Sequence, residues 1–179
     1  MSALSLAIVA VACVVIGLFI AAGRLAATTG VAVTARVVSS DVGPEPSQTL
    51  VEPVLRLRGR PDYLVREAAG MVPIEIKPTR RATSLYESDR TQLGTYLLLV
   101  RATYPDVFAG YGRVRYAEAA FEVPLTTDLA ARVIAIANAI RRAREVPPPG
   151  VHRSHDIPAK CRACAVRTVC GEALEDAKP

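Results

Sequence analysis

Residues 4–22 carry no charged side chain, and Ile8, Val9, Val11, Val14, Val15, Ile16, Leu18, Phe19 and Ile20 fall within them. Roughly 20 apolar residues cross a bilayer as a helix, so this run predicts a single transmembrane anchor over residues 1–23. A cleaved signal peptide is the rival reading, but no Lys or Arg precedes Leu4. The first charges, Arg24 and Arg36, follow the run, which puts the rest of the chain on the cytoplasmic side of a single-pass protein.

Beyond a juxtamembrane linker at 24–30 the pattern becomes that of a globular domain over 31–146. Small and β-branched residues alternate over 31–40, and the Asp41–Pro46 stretch supplies turn chemistry. Residues 50–57, 62–65 and 71–76 are short apolar runs that read as successive strands with tight turns. Ser88 or Asp89 is placed to cap a helix through Leu93, Tyr96, Leu97 and Val100, ending near Pro105. Residues 110–116 and 119–123 form a predicted hairpin, and Thr126 or Thr127 caps a second helix carrying Leu129, Val133, Ile134 and Ile136. The proline run 147–149 with Gly150 stops that helix and opens a cysteine-containing tail over 147–179. The order predicts an α/β fold on a mixed sheet flanked by helices.

At 179 residues the chain has room for one ordinary domain and an appended segment, so one site should explain its function. Hydrophobic residues reach 51% only because the amino end is so apolar. The formal charge is +5, with arginines in groups: Arg56, Arg58 and Arg60; Arg80 and Arg81; Arg141, Arg142 and Arg144. Such groups suit phosphate backbones. They suit anionic lipid beside an anchor equally well.

Asp62 follows Gly59-Arg60-Pro61, and Glu75 and Lys77 interrupt the apolar run Pro73-Ile74-Glu75-Ile76-Lys77. On a strand, residues two apart share a face, so the Glu75 carboxylate and the Lys77 ammonium project together while Ile74 and Ile76 turn to the core. A neighbouring strand can bring Asp62 to that face. Two converging carboxylates call for a cation, and oxygen ligands suit Mg²⁺ or Mn²⁺, with the Ile76 carbonyl as a further donor. Taken alone, Glu-x-Lys is just as well an ion pair on an exposed strand.

The ordered set Gly59-Arg60-Pro61-Asp62-Tyr63, Pro73-Ile74-Glu75-Ile76-Lys77-Pro78 and Gln92-Leu93-Gly94-Thr95-Tyr96 resembles the motifs of PD-(D/E)xK nucleases. It is most similar to the RecB-like exonucleases of the CRISPR-associated Cas-four and Dna-two type. The resemblance runs over about residues 31–170. It implies a restriction-endonuclease-like fold, DNA as the partner, and CRISPR or DNA-repair proteins as associates. It also implies that Asp62 and Glu75 ligate the metal, that Lys77 is the catalytic lysine, and that Gln92 and Tyr96 reach the site from a helix. Those two are four apart and share a helical face. Without the resemblance, a core tyrosine and a surface glutamine describe them as well.

Cys161, Cys164 and Cys170 give C-x₂-C-x₅-C, a spacing that clasps a soft metal in a reducing compartment. By the same resemblance they belong to a [4Fe–4S] cluster, whose fourth cysteine should precede the nuclease core. Cys13, the remaining cysteine, lies in the apolar run instead; His152 or His155 are candidates for the fourth ligand of a cluster or of Zn²⁺, and ordinary loop histidines describe them equally well. The family also carries a metal-binding histidine ahead of its catalytic aspartate. No histidine precedes Asp62 here, and Glu45 or Glu52 are the candidate substitutes. Metal-dependent cleavage of single-stranded DNA from an end is therefore expected. Nucleic-acid binding without catalysis is the alternative, and a small metal or redox protein ranks last because it leaves the motifs upstream of the cysteines unexplained.

Overall fold

A computed structural model describes the backbone of residues 3–29, 35–42, 44, 46–145 and 152–174. The start of the first expected strand (31–34), Gly43, Glu45 and the proline run 147–150 lie outside the described residues. The chain divides into two compact units, with the boundary between Ala135 and Ile136.

The first unit is built on a five-stranded sheet. Its strands are β1 (Arg36–Ser40), β4 (Tyr63–Glu67), β5 (Gly70–Lys77), β6 (Tyr111–Tyr116) and β7 (Ala120–Pro124), in the order β1-β4-β5-β6-β7. Only β5 and β6 are parallel, and α2 (Glu87–Thr103) lies between them in sequence, as a parallel crossover demands. β5 is central, and residues 70–75 are buried on both faces. Val65, Val72 and Ile74 anchor one face. On the other, α2 buries Leu93, Leu97, Leu98 and Val100, and each such side chain removed from water contributes about 1.5–3 kcal/mol. Gly94 lets α3 (Thr127–Glu145) come close, because a Cβ there would stand 3.0 Å from Leu129 and Val133. Gly70 makes the β4–β5 turn at φ +127, where a side chain would strike the Val107 carbonyl at 2.2 Å.

Several expectations change. The run 50–57 is not one strand but the start of a hairpin, β2 (Leu50–Glu52) and β3 (Leu57–Gly59). Pro53 cannot continue a ladder, and the turn is closed by Arg56 at φ 52. Neither Ser88 nor Asp89 caps α2, which begins after Tyr86; Asp89 is buried in its first turn. Thr126 does cap α3, its hydroxyl accepting the Leu129 N–H at 3.1 Å.

The anchor expected over residues 1–23 is not found: among the described residues no helix is long and apolar enough to cross a membrane. The segment does form a helix, α1 (Ala3–Thr29), whose described side chains at 7–21 and 23 are all exposed.

Candidate functional site at the end of the central strand

The β4–β5 register pairs Tyr63 with Ile74, so one further step sets Asp62 opposite Glu75. Paired residues share a face of the sheet, and this is the face that α2 covers. The Asp62 carboxylate turns toward β5, its Oδ2 accepting the Ile76 N–H at 2.7 Å. A strand residue's N–H and C=O leave the same edge, so the Ile76 carbonyl lies on the Asp62 side as well.

Glu75 is 3% exposed. Its Oε1 accepts from the Lys77 ammonium at 2.6 Å and from Gln92 Nε2 at 2.7 Å. Gln92 Nε2 also lies 3.1 Å from the Tyr96 hydroxyl, to which it donates. The five residues expected at the site thus come together from β4, β5 and α2. The second carboxylate oxygen of Glu75, Oε2, is buried with no hydrogen-bond partner among the described residues. A buried carboxylate oxygen left unpaired is costly, and a hard cation would satisfy it. The residues present therefore fit Mg²⁺ or Mn²⁺, which Glu75, Asp62 and the Ile76 carbonyl would hold.

The electrostatics agree. Burial pushes the Glu75 carboxyl above its usual range; the Asp62 charge adds to this, while hydrogen bonds from Lys77 and Gln92 oppose it. Burial pulls the Lys77 amine down, but the Glu75 hydrogen bond and charge outweigh it and the net shift is upward. The Lys77 ammonium is held against Glu75 Oε1 at 2.6 Å. Burial likewise raises the Tyr96 phenol, with the Gln92 hydrogen bond opposing it and the Glu75 charge adding to it.

Three supports escape a sequence reading. Gly59 has an ordinary backbone, yet a Cβ there would meet Tyr96 Cε1 at 2.9 Å and Leu99 Cδ1 at 3.2 Å. Glycine is required by the closeness of the Tyr96 ring. Asp89, buried at 2% exposure, accepts from the Tyr116 hydroxyl at 2.5 Å and from Arg80 at 3.0 Å, tying the segment after β5 to α2. The Arg80 guanidinium also stacks 5.0 Å from the centre of the Tyr86 ring. A carboxylate at the start of α2 signals a cap in the sequence, and only the fold reveals its partners.

Glu52, a candidate substitute for the missing histidine, is engaged in the β2–β3 turn. Its Oε1 accepts the Val54 N–H at 3.3 Å and its Oε2 accepts the Leu55 N–H, so both oxygens hold the β2–β3 turn. Glu45 lies outside the described residues.

In the second unit, Cys161, Cys164, Cys170, His152 and His155 line an open cavity of about 220 Å³. The cysteine-bound centre expected there is not assembled: among the described residues no group of three or more His, Cys, Asp or Glu side chains is placed to hold a metal ion. Cys161 is buried on α4 (Pro158–Arg162) and its Sγ accepts the Leu174 N–H at 3.5 Å, whereas Cys164 is exposed. His152 Nδ1 is engaged with Glu172 at 2.6 Å, and His155 Nδ1 accepts the Ile157 N–H at 3.3 Å. Cys13 is exposed on α1.

Among protein families, residues 16–171 match the model described as the PD-(D/E)XK nuclease superfamily. Among solved structures, the crystal structure of SSO0001 is similar at a TM-score of 0.48 and 18% identity, over 93% of this chain and 72% of that one. No curated protein matches the chain.

Proposed function

Because the chain belongs to the PD-(D/E)XK nuclease superfamily, which implies a metal-dependent phosphodiester hydrolase, we propose that it degrades single-stranded DNA from an end, as the RecB-like enzymes of the Cas-four and Dna-two type do. The observation that carries the reading is the buried Oε2 of Glu75, without a hydrogen-bond partner among the described residues and one strand away from Asp62. A divalent cation bound there supplies Lewis acidity toward the phosphate and a lowered pKa for water.

The chain's own groups do the rest. Asp62 is fixed by the Ile76 N–H, so its carboxylate does not swing away from the strand end. Gln92 holds Oε1 of Glu75, while Oε2 has no hydrogen-bond partner among the described residues and is the oxygen left for a cation. The Lys77 ammonium, 25% exposed, can offset charge that builds on a phosphate oxygen and orient the attacking water. Tyr96 braces Gln92 through its hydroxyl.

The test is cleavage of end-labelled single-stranded and double-stranded DNA in Mg²⁺, Mn²⁺ or chelator. Glu75→Ala and Lys77→Ala should each lower the rate by about 10²–10³-fold or more, on the scale of losing one transition-state donor, with the melting transition retained. Unchanged cleavage in either variant refutes the assignment. A second reading, binding without cleavage, draws on the commitment of Glu52 to a turn, which leaves the site without that carboxylate. DNA binding that survives chelator, with no product in either metal, selects it.

A further inference from the structure

Arg36 on β1 and Arg66 on β4 are direct antiparallel partners, so their side chains leave the same face of the sheet about 5 Å apart at Cβ. Like charges placed directly opposite destabilise a sheet unless an anion lies between them. Glu67, the one acid on β1 or β4, is committed elsewhere. Glu67 is gripped by both terminal nitrogens of Arg113, at 2.6 and 3.0 Å, and as the next residue on β4 it projects to the opposite face. Neither Arg36 nor Arg66 has an ion pair or a side-chain hydrogen bond among the described residues.

Both arginines are exposed, and with Val37, Val38, Met71 and Tyr104 they line an open cavity of about 300 Å³. Tyr104 stands at the carboxyl end of α2, its hydroxyl donating to Gln48 Oε1 at 2.8 Å. That helix end offers roughly half a negative charge, against two full positive charges. The cavity therefore keeps a demand for an anion. Two guanidiniums with donors in a fork suit a phosphate, and an adjacent tyrosine ring suits a base.

Its position bears on the substrate. Arg66 pairs with Met71, and Met71 and Glu75 are four residues apart on β5, so cavity and cation site stand on one face about 13 Å apart along the strand. We propose that Arg36 and Arg66 hold a phosphodiester of the single-stranded substrate a few nucleotides from the scissile bond, with Tyr104 stacking on the attached base. The assignment rests on the nuclease reading and names a second point of attachment for the same strand.

The test uses the full chain with Arg36→Gln and Arg66→Gln combined. Binding of fluorescein-labelled oligothymidylate of about 20 nucleotides, longer than one binding site, is followed by anisotropy in chelator across a salt series, and cleavage of that oligomer and of a trinucleotide is measured in Mn²⁺. The double variant should bind the long oligomer about 10-fold more weakly, with a salt slope shallower by about 0.7 for each phosphate no longer neutralised. KM should rise for the long oligomer and stay constant for the trinucleotide, with kcat unchanged for both. Removing a like-charge pair should leave the melting temperature the same or higher. An unaltered affinity and salt slope for the long oligomer overturns the proposal even where the wild-type chain cleaves. A wild-type chain that binds through these arginines but cleaves nothing removes the nuclease reading and keeps the phosphate site. Weaker binding to phosphatidylglycerol vesicles alone, with DNA binding intact, overturns it in favour of a lipid surface.

Discussion

The chain gathers reactive side chains in two places and supports them very differently. At the end of β5, side chains from β4, β5 and α2 are locked together by hydrogen bonds of 2.6–3.1 Å around a carboxylate that is 3% exposed. In the carboxyl-terminal unit, three cysteines and two histidines border a cavity from a helix of five residues and the loops around it. A constellation on packed strands and helices is preorganised, and one carried by loops waits for its ligand. Motif spacing looks equally persuasive in both regions. Burial of the supporting elements separates them.

The largest effect expected from testing this contrast, short of deleting a site residue, comes from Gly59. Gly59→Ala places a methyl against the Tyr96 ring, and Tyr96, through Gln92, orients Glu75. A displacement near 1 Å at a reacting group can cost about 10²-fold in rate, so cleavage should fall by about 10–100-fold while the melting temperature moves little. Tyr96→Leu removes the colliding ring. In that background Gly59→Ala should have almost no additional effect, and additive losses in the double variant would show that Gly59 acts by another route.

The second contrast is one of sign, because the two regions respond to pH in opposite directions. Glu75 has its pKa raised above the ordinary 4.5, first by burial, so without metal its ionised form opposes folding. Its contribution is most favourable below pH 4.5 and is lost as pH rises through the raised value, since the folded state then binds the extra proton. Glu172 has its pKa lowered, first by the His152 hydrogen bond, so its contribution is present above 4.5 and lost as pH falls through the lowered value. Glu172 is exposed, and solvent screening makes its share the smaller one. Urea unfolding in chelator between about pH 4 and 8 should therefore show a destabilising component with rising pH that Glu75→Gln removes. Mn²⁺ should reverse it, because binding requires the ionised carboxylate. A pH profile that Glu75→Gln leaves unchanged would contradict this.

What the sequence made legible follows the same division. The trio Asp62, Glu75 and Lys77, with Gln92 and Tyr96, could be read because their ordered motifs resemble a known family; periodicity alone shows only that Glu75 and Lys77, and Gln92 and Tyr96, share a face. The mixed sheet, the β6–β7 hairpin and the Thr126 cap were readable from the residue pattern. The β2–β3 hairpin was not, because Leu50, Leu57 and their neighbours look like one apolar run until Pro53 and Arg56 force a turn. Long-range support was hidden as well. Nothing near Asp89 announces Tyr116 or Arg80, and Glu52 resembles a spare ligand until the turn N–H groups claim its oxygens. In the tail, the cysteine spacing resembled a metal site, while the described residues leave His152 bound to Glu172 and Cys164 in solvent.

The smallest effect belongs to that tail, and its smallness is informative. Cys164 is exposed, and an exposed residue with no buried partner alters stability by about 0.5 kcal/mol or less when changed. Cys164→Ser in the metal-free chain should therefore leave the urea midpoint and the cleavage rate in Mn²⁺ where they were. Cys161 is different, being buried and accepting the Leu174 N–H. Cys161→Ser puts a more strongly solvated hydroxyl in place of that sulfur and should destabilise the chain by about 1 kcal/mol, with cleavage again unaffected. If Cys164→Ser instead cost as much as Cys161→Ser, and did so only in protein purified without oxygen or chelator, the thiols would be acting together on a bound metal, and the tail would be as organised as the sheet.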